Sequence, residues 1–310
     1  MSRILAVGAN AAWQKTLQFK DFKYGEVNRA VEMHAFASGK GINFVRAAGV
    51  YGRAEAVLVQ FSGGENGRYI CEYLQNEGME FINIPTSGAT RCCITCLNQS
   101  DRSMTELIEP STAVSPAERR AMLTAIEQIL ADVDGAAICG SLPDGTPPEF
   151  YIQLAEKITA AGKMVLLDAY KNIMPVLNMP GVMLKINREE LAKLTGIDGI
   201  QRGLQELFSK TGLKYAAITD GAGCAFMSDG KKLFSYQLPE LPLVVNPIGC
   251  GDTASGTWLS GIADGMNPAE AFRNALGCAS ANAESLLPGS FDPARAAELA
   301  AAVAVKEATL

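Results

Sequence analysis
Short unbroken apolar runs recur along this chain, each followed by a stretch of helical period, and that alternation limits the possible folds more than any single motif. Ile4–Val7, Ala136–Cys139, Val165–Leu167 and Tyr215–Ile218 are continuous runs, as expected of strands covered on both faces. Between them, Met122, Leu123, Ile126, Ile129 and Leu130 fall on one helical face. That helix opens with Ser115-Pro116 and has Glu118 at its third position, the signature of a capping box. Leu154, Ile158 and Ala161 repeat the theme, closed by Gly162. Strand–helix alternation predicts an α/β fold with an open, mostly parallel sheet. Two stretches break the rhythm. Lys15–Ala37 and Arg91–Glu109 alternate loosely without a helical period. They predict strand pairs standing off the main sheet as a small lid, over residues 11–37 and 88–109 of a single domain spanning 1–310.

With 310 residues, 48% of them hydrophobic, the chain can bury a sizeable core. Its net charge is −6 and it has no run of Lys or Arg, which argues against nucleic acid or a membrane surface as partner. Any anion must be held by a few well-placed cations, not by a global field. No apolar stretch is long enough to span a bilayer, and Met1–Gly8 reads as a buried strand, not as a signal peptide. The eight cysteines are scattered and do not form a disulfide framework, so a reducing cytoplasm is the expectation.

The strongest local signal is Asn246-Pro247-Ile248-Gly249-Cys250-Gly251-Asp252-Thr253, followed by a helical pattern from Ala254. A tight glycine loop at a helix start lets backbone N–H groups converge on an anion. Asp252 would stand beside that hole, where a carboxylate can take the proton of an attacking hydroxyl. Ser38-Gly39-Lys40-Gly41-Ile42-Asn43 suggests a second anion site, opening a helix over 43–51. It is not a Walker loop, since His34 and Gly41 stand where Gly and Ser/Thr are required. Lys185-Ile186-Asn187-Arg188-Glu189-Glu190 follows a strand and opens a helix; Asn187 and Glu190 could share a polar cluster with Mg²⁺-bound water, or simply cap the helix. Thr219–Gly223 and Gly140–Gly145 occupy similar strand-end positions, where ligands of open α/β sheets gather.

In their order and spacing these pieces resemble the PfkB family of carbohydrate kinases, closest to the branch containing 1-phosphofructokinase and tagatose-6-phosphate kinase. Gly25–Arg29, Thr90-Arg91 and Thr105–Pro110 add to the likeness, which covers nearly the whole chain. The resemblance implies a ribokinase-like three-layer α/β/α fold with a β lid that mediates dimers. It also implies transfer of a phosphoryl group from ATP, with Mg²⁺ and in some members a monovalent cation, to a hydroxyl of a small sugar phosphate. Asp252 matches the family's base, and Gly249, Cys250 and Gly251 its anion hole. Gly39, Lys40, Asn43 and Ser141 match sugar-side positions, with Lys40 and Arg91 as cations for the phosphate already on the substrate. Lys185, Asn187, Thr219, Gly221 and Gly223 match nucleotide-side positions, and Glu190 meets the metal through water.

The chain departs from the family where the first strand ends. Asn10-Ala11-Ala12-Trp13-Gln14 stands in place of Asn-Pro-Ala-x-Asp, so Gln14 replaces the carboxylate that grips sugar hydroxyls. Gln14 is therefore expected at the substrate with altered specificity, and Trp13 beside it. Cys250, at a helix N-terminus, is expected to be the most reactive thiol. Cys93-x-x-Cys96 has no second pair and His34 is the only histidine, so both are expected to be structural. Two alternatives stay open. One is a kinase of an unphosphorylated sugar or nucleoside, which Lys40 and Arg91 oppose. The other is a ligand sensor on the same fold, which Asp252 and its glycines oppose.

Overall fold
Each of the four apolar runs becomes a strand of one large sheet in the computed structural model, which describes residues 1–310. In chain order the strands are β1 (Ser2–Gly8), β2 (Ala12–Phe19), β3 (Glu32–Ser38), β4 (Ala54–Ser62), β5 (Glu80–Pro85), β6 (Cys92–Asn98) and β7 (Met104–Ile108). They continue as β8 (Gly135–Cys139), β9 (Met164–Asp168), β10 (Val182–Asn187), β11 (Tyr215–Asp220), β12 (Cys224–Ser228), β13 (Lys232–Gln237) and β14 (Ala304–Thr309). The helices are α1 (Lys40–Tyr51), α2 (Gly64–Asn76), α3 (Pro116–Ile129), α4 (Glu149–Ala160) and α5 (Arg188–Thr195). After them come α6 (Ile200–Lys210), α7 (Cys250–Ala263), α8 (Pro268–Ala283) and α9 (Pro293–Ala302).

The large sheet has ten strands in the order β14-β13-β12-β11-β10-β9-β8-β1-β4-β5. From β5 to β11 every pairing is parallel; β12, β13 and β14 add an antiparallel edge. Successive residues of a strand face opposite sides, and β1 shows the result. Leu5 and Val7 join the core under α3, α4 and α6, while Ile4 and Ala6 join the core under α1, α7 and α8. Helices therefore cover both faces, giving the three-layer α/β/α arrangement. The chain passes from β1 to one side, through β4 and β5, and later returns to β8 on the other side. The crevice beyond β1 and β8 is thus the switch point of the sheet, the usual place for a ligand.

The loosely alternating stretches form a separate four-stranded sheet, β3-β2-β6-β7, in which β2 and β6 run parallel and the outer pairs antiparallel. Trp13 of β2 does not face the crevice beyond β1. Its ring packs on Tyr69 and Tyr73 of α2, with centroids 5.6 and 6.0 Å away, and fastens the small sheet to the body. Trp258 is fully buried. All eight cysteines are free.

Ser115 and Glu118 form the expected reciprocal capping box at the start of α3. Two helices begin earlier than their apolar periodicity suggests. Gly39 caps α1, which starts at Lys40 instead of residue 43, and Gly249 caps α7, which starts at Cys250 instead of Ala254. Glycines and polar residues interrupt both first turns, Lys40-Gly41-Ile42-Asn43 and Cys250-Gly251-Asp252-Thr253, so hydrophobic period does not reveal them. The two helices lie against each other, and a Cβ on Gly256 would come within 2.4 Å of the Phe44 carbonyl oxygen. Only a residue without a side chain allows that approach. Gly256→Ala is expected to cost ~1–3 kcal/mol through overpacking; urea denaturation should show a lower midpoint at unchanged slope.

Candidate active site
Two clefts open at the carboxyl ends of the parallel strands, and Lys40 lines both. The smaller, about 130 Å³, lies beyond β1 and β8; its floor includes Gly8, Gly41 and Gly140, and its walls include Ser141 and Arg91. The larger, about 890 Å³, runs between the ends of β10 and β11 and the start of α7. Lys185, Asn187, Glu190, Thr219, Gly221, Cys250, Gly251 and Asp252 line it.

The first turn of α7 positions Asp252. Its N–H groups have no intrahelical acceptor, so they are free to meet an anion. The loop before it is fixed from two sides. Asn246 accepts from the Ile248 N–H and donates to the Leu286 carbonyl. Asn282 of α8 accepts from Gly289 N–H and Thr253 Oγ1, and donates to the Ile248 carbonyl and Cys250 Sγ. Asp252 itself is buried and accepts a 2.8 Å hydrogen bond from Asn43 Nδ2 of α1. Asn43 is braced in turn by Arg46, whose guanidinium grips Glu77 through Nε and Nη2 and also donates to the Pro288 and Ala37 carbonyls.

Asp168, at the end of β9 and only 2% exposed, holds the cations. Lys40 Nζ donates to its Oδ1 at 2.6 Å and Ser255 Oγ to its Oδ2 at 2.7 Å, with Lys185 Nζ 3.5 Å from Oδ2. Burial pushes the Asp168 carboxyl up, but Lys185 and Lys40 outweigh burial and hold it below the usual carboxylate range. Burial likewise opposes the charge on Lys40, and Asp168 and Asp252 more than restore it, so its pKa lies above that of an ordinary lysine. Asp252 differs. Burial raises its pKa, Asp168 adds to the rise, and Lys40, Asn43 and Lys185 offset only part of it.

The sequence-derived residues mostly converge. Gly39, Lys40, Arg91 and Ser141 line the small cleft. Arg91 faces no carboxylate; its Nη2 donates to the Asn10 carbonyl and its Nε has no partner. Gln14 does not line this cleft. It is buried in the small sheet, where its Nε2 donates to Thr95 Oγ1 at 2.8 Å. Cys250 is not an activated thiol. Burial pushes it up to about 11, with Asp252 adding to the rise, although Asn282 and Lys185 counter in part. Gly223 stands off the larger cleft and uses its carbonyl to hold Leu238 and Gln237. Asn187 and Glu190 cap α5 reciprocally, Asn187 accepting from the Glu190 N–H and Glu190 Oε2 from the Asn187 N–H. Glu190 Oε1 stays free for a metal-bound water, but no trio of His, Cys, Asp or Glu is gathered to ligate a bare ion. The donor set therefore fits a hydrated Mg²⁺ arriving with a nucleotide. Asp168, Ser255, Arg46 and Asn282 had no local signature; each acts through partners distant in sequence.

The pfkB family carbohydrate kinase profile matches residues 1–295. The chain belongs to that family. It is a phosphotransferase that acts on a sugar hydroxyl. Solved structures share the fold. Phosphofructokinase-2 from Escherichia coli in complex with fructose-6-phosphate superposes with a TM-score of 0.85 at 19% identity, covering 97% of this chain and 99% of that one. A possible 1-phosphofructokinase from Thermotoga maritima gives 0.85 at 17% identity over 99% of both chains. A carbohydrate kinase from Agrobacterium tumefaciens gives 0.77 at 19% identity, over 99% of this chain and 100% of that one. No helix is long and apolar enough to cross a membrane.

The environment of Asp252 makes a measurable claim. ¹³C NMR of carboxylate-labelled protein, with Asp252→Asn for assignment, should show it protonating above its ordinary value of 3.8. Asn43→Ala removes a hydrogen bond that favours the charged form, so it should move the titration to still higher pH.

Proposed function
We propose that the enzyme transfers the γ-phosphoryl group of ATP to a hydroxyl of a sugar phosphate. The observation that carries this reading is the meeting of the two clefts at Lys40, with Asp252 on the larger one and tied to α1 through Asn43. The larger cleft is of a size for a nucleotide, and its phosphates would run toward the first turn of α7. The smaller cleft takes the acceptor, with Arg91 as the uncompensated cation for its resident phosphate. Lys40 already spends one N–H on Asp168. Its place on both clefts supports a role along the path of the transferring group, beyond reading the resident phosphate.

Asp252 receives the hydroxyl proton, and burial has made it a stronger base than an ordinary aspartate. The Gly249–Gly251 amides accept the charge that develops on the transferring group. Mg²⁺, carried by the nucleotide and met by Glu190 through water, would neutralise part of the phosphate charge. Transfer of this kind needs water excluded, and the small sheet would serve as the lid. A monovalent cation and a cytoplasmic setting fit this reading.

Asp252→Asn should lower kcat by ~10²–10⁴-fold while nucleotide binding persists, and Arg91→Ala should raise KM for the sugar phosphate far more than KM for ATP. Steady-state assays across sugars, nucleosides and sugar phosphates test both. Near-wild-type kcat for Asp252→Asn removes the base assignment, and preference for an unphosphorylated acceptor replaces the substrate class.

The small sheet exposes Met33 and Leu107 on one face and Ile108 at its β7 edge on the other, with Val31 exposed just before β3. We propose that it pairs with a second copy. Sedimentation velocity should show a dimer that Leu107→Glu with Ile108→Glu converts to monomer; an unshifted wild-type monomer at micromolar concentration would reject it.

A further inference from the structure
Gln60 interrupts an apolar strand. It follows Val57-Leu58-Val59 in β4, sits opposite Gly8 in the pairing with β1, and is 0% exposed. Neither Nε2 nor Oε1 has a hydrogen-bond partner. Buried amides without partners are rare, because the group has given up water and received nothing in return. Gln60 forms part of the wall of the small cleft, as does Arg91, whose buried Nε is also unpartnered. Two side chains with unmet hydrogen-bonding capacity therefore border the same space.

Their chemistries differ in a way that defines a ligand. The Arg91 guanidinium only donates and suits an anion. The Gln60 amide both donates and accepts, whichever way it is turned. A phosphate group can satisfy its N–H groups but leaves Oε1 bare. A hydroxyl, or a pair of neighbouring hydroxyls, satisfies both ends. We propose that Gln60 is a substrate-binding residue that reads a sugar hydroxyl while Arg91 takes the phosphate, and that it thereby sets which sugar phosphate is accepted. This rests on the sugar-phosphate kinase reading above. It also moves the specificity-determining amide from Gln14, which Thr95 already engages, to a strand inside the cleft.

The test uses the full chain and the variant Gln60→Met, which keeps length and loses the amide, with Gln60→Glu as a second variant that keeps only acceptors. Thermal shift and steady-state kinetics are measured with the preferred sugar phosphate and its monodeoxy analogues. Gln60→Met should be as stable as wild type or more so without ligand, since an unpaired buried amide is removed. Its stabilisation by the sugar phosphate should shrink, and KM for that substrate should rise on the order of tenfold or more, with KM for ATP within about twofold. Wild type should reject one deoxy analogue strongly, and Gln60→Met should lose most of that discrimination. Gln60→Glu should weaken binding further because its charge opposes the phosphate. Unchanged discrimination in Gln60→Met, with turnover of sugar phosphates intact, would sink this assignment alone and point to a buried water as the partner. A drop in ligand-free Tm with parallel losses for sugar and ATP would make the role structural. If no sugar phosphate is turned over by wild type or stabilises it, the kinase reading falls, and this inference with it.

Discussion
The carboxylate of Asp168 is the group on which the arrangement of the site depends. It lies at the end of a central strand, almost without solvent, and draws to one point Lys40 from the start of α1, Lys185 from β10 and Ser255 from α7. Burying one carboxylate alone is prohibitive, and so is burying one ammonium alone. Together they hold, and removing one partner of such a set typically costs ~3–5 kcal/mol because the others stay uncompensated. The same charge has a second effect. It keeps Lys40 protonated while raising the proton affinity of Asp252 nearby. One side chain thus gathers the cations and adds to the rise that burial gives the Asp252 carboxyl.

Much of this was legible in the sequence because it is written locally. Continuous apolar runs gave buried strands, Ser115 with Glu118 gave a helix start, and the glycines around Cys250 marked a helix N-terminus with Asp252 in its first turn. What stayed hidden is written across distance. Asp168 sits 128 residues from Lys40 and 87 from Ser255, and by itself looks like a polar residue ending a strand. Gln60 hides in an apolar run, and Asn282 lies inside a helix whose apolar period gives no hint that it locks a loop 34 residues away. Gln14 shows the opposite failure. Its position in a motif suggested a sugar contact, but strand pairing brought Thr95 beside it first. Cys250 fails for a related reason, because burial and a neighbouring carboxylate outweigh the helix terminus.

Arg46 and Trp13 show how distant parts brace the structure without lining either cleft. Arg46 links the end of α2, the end of β3 and the loop after α8 to the side chain that orients Asp252. Trp13 fixes one end of the small sheet to α2.

The floor of the small cleft has a consequence for how such an enzyme can change over time. A Cβ on Gly41 would lie 2.6 Å from the Cα of Gly8, so the two backbones touch and no larger residue fits at Gly41. If this cleft takes the acceptor, as proposed, main chain at Gly41 limits how deeply it can rest. On that reading, descendants that acquire a new acceptor would do so through the walls, at Gln60, Arg91 and Ser141. Divergence would thus swap the hydroxyl pattern that is recognised and leave the line of approach to the transferred group as it was.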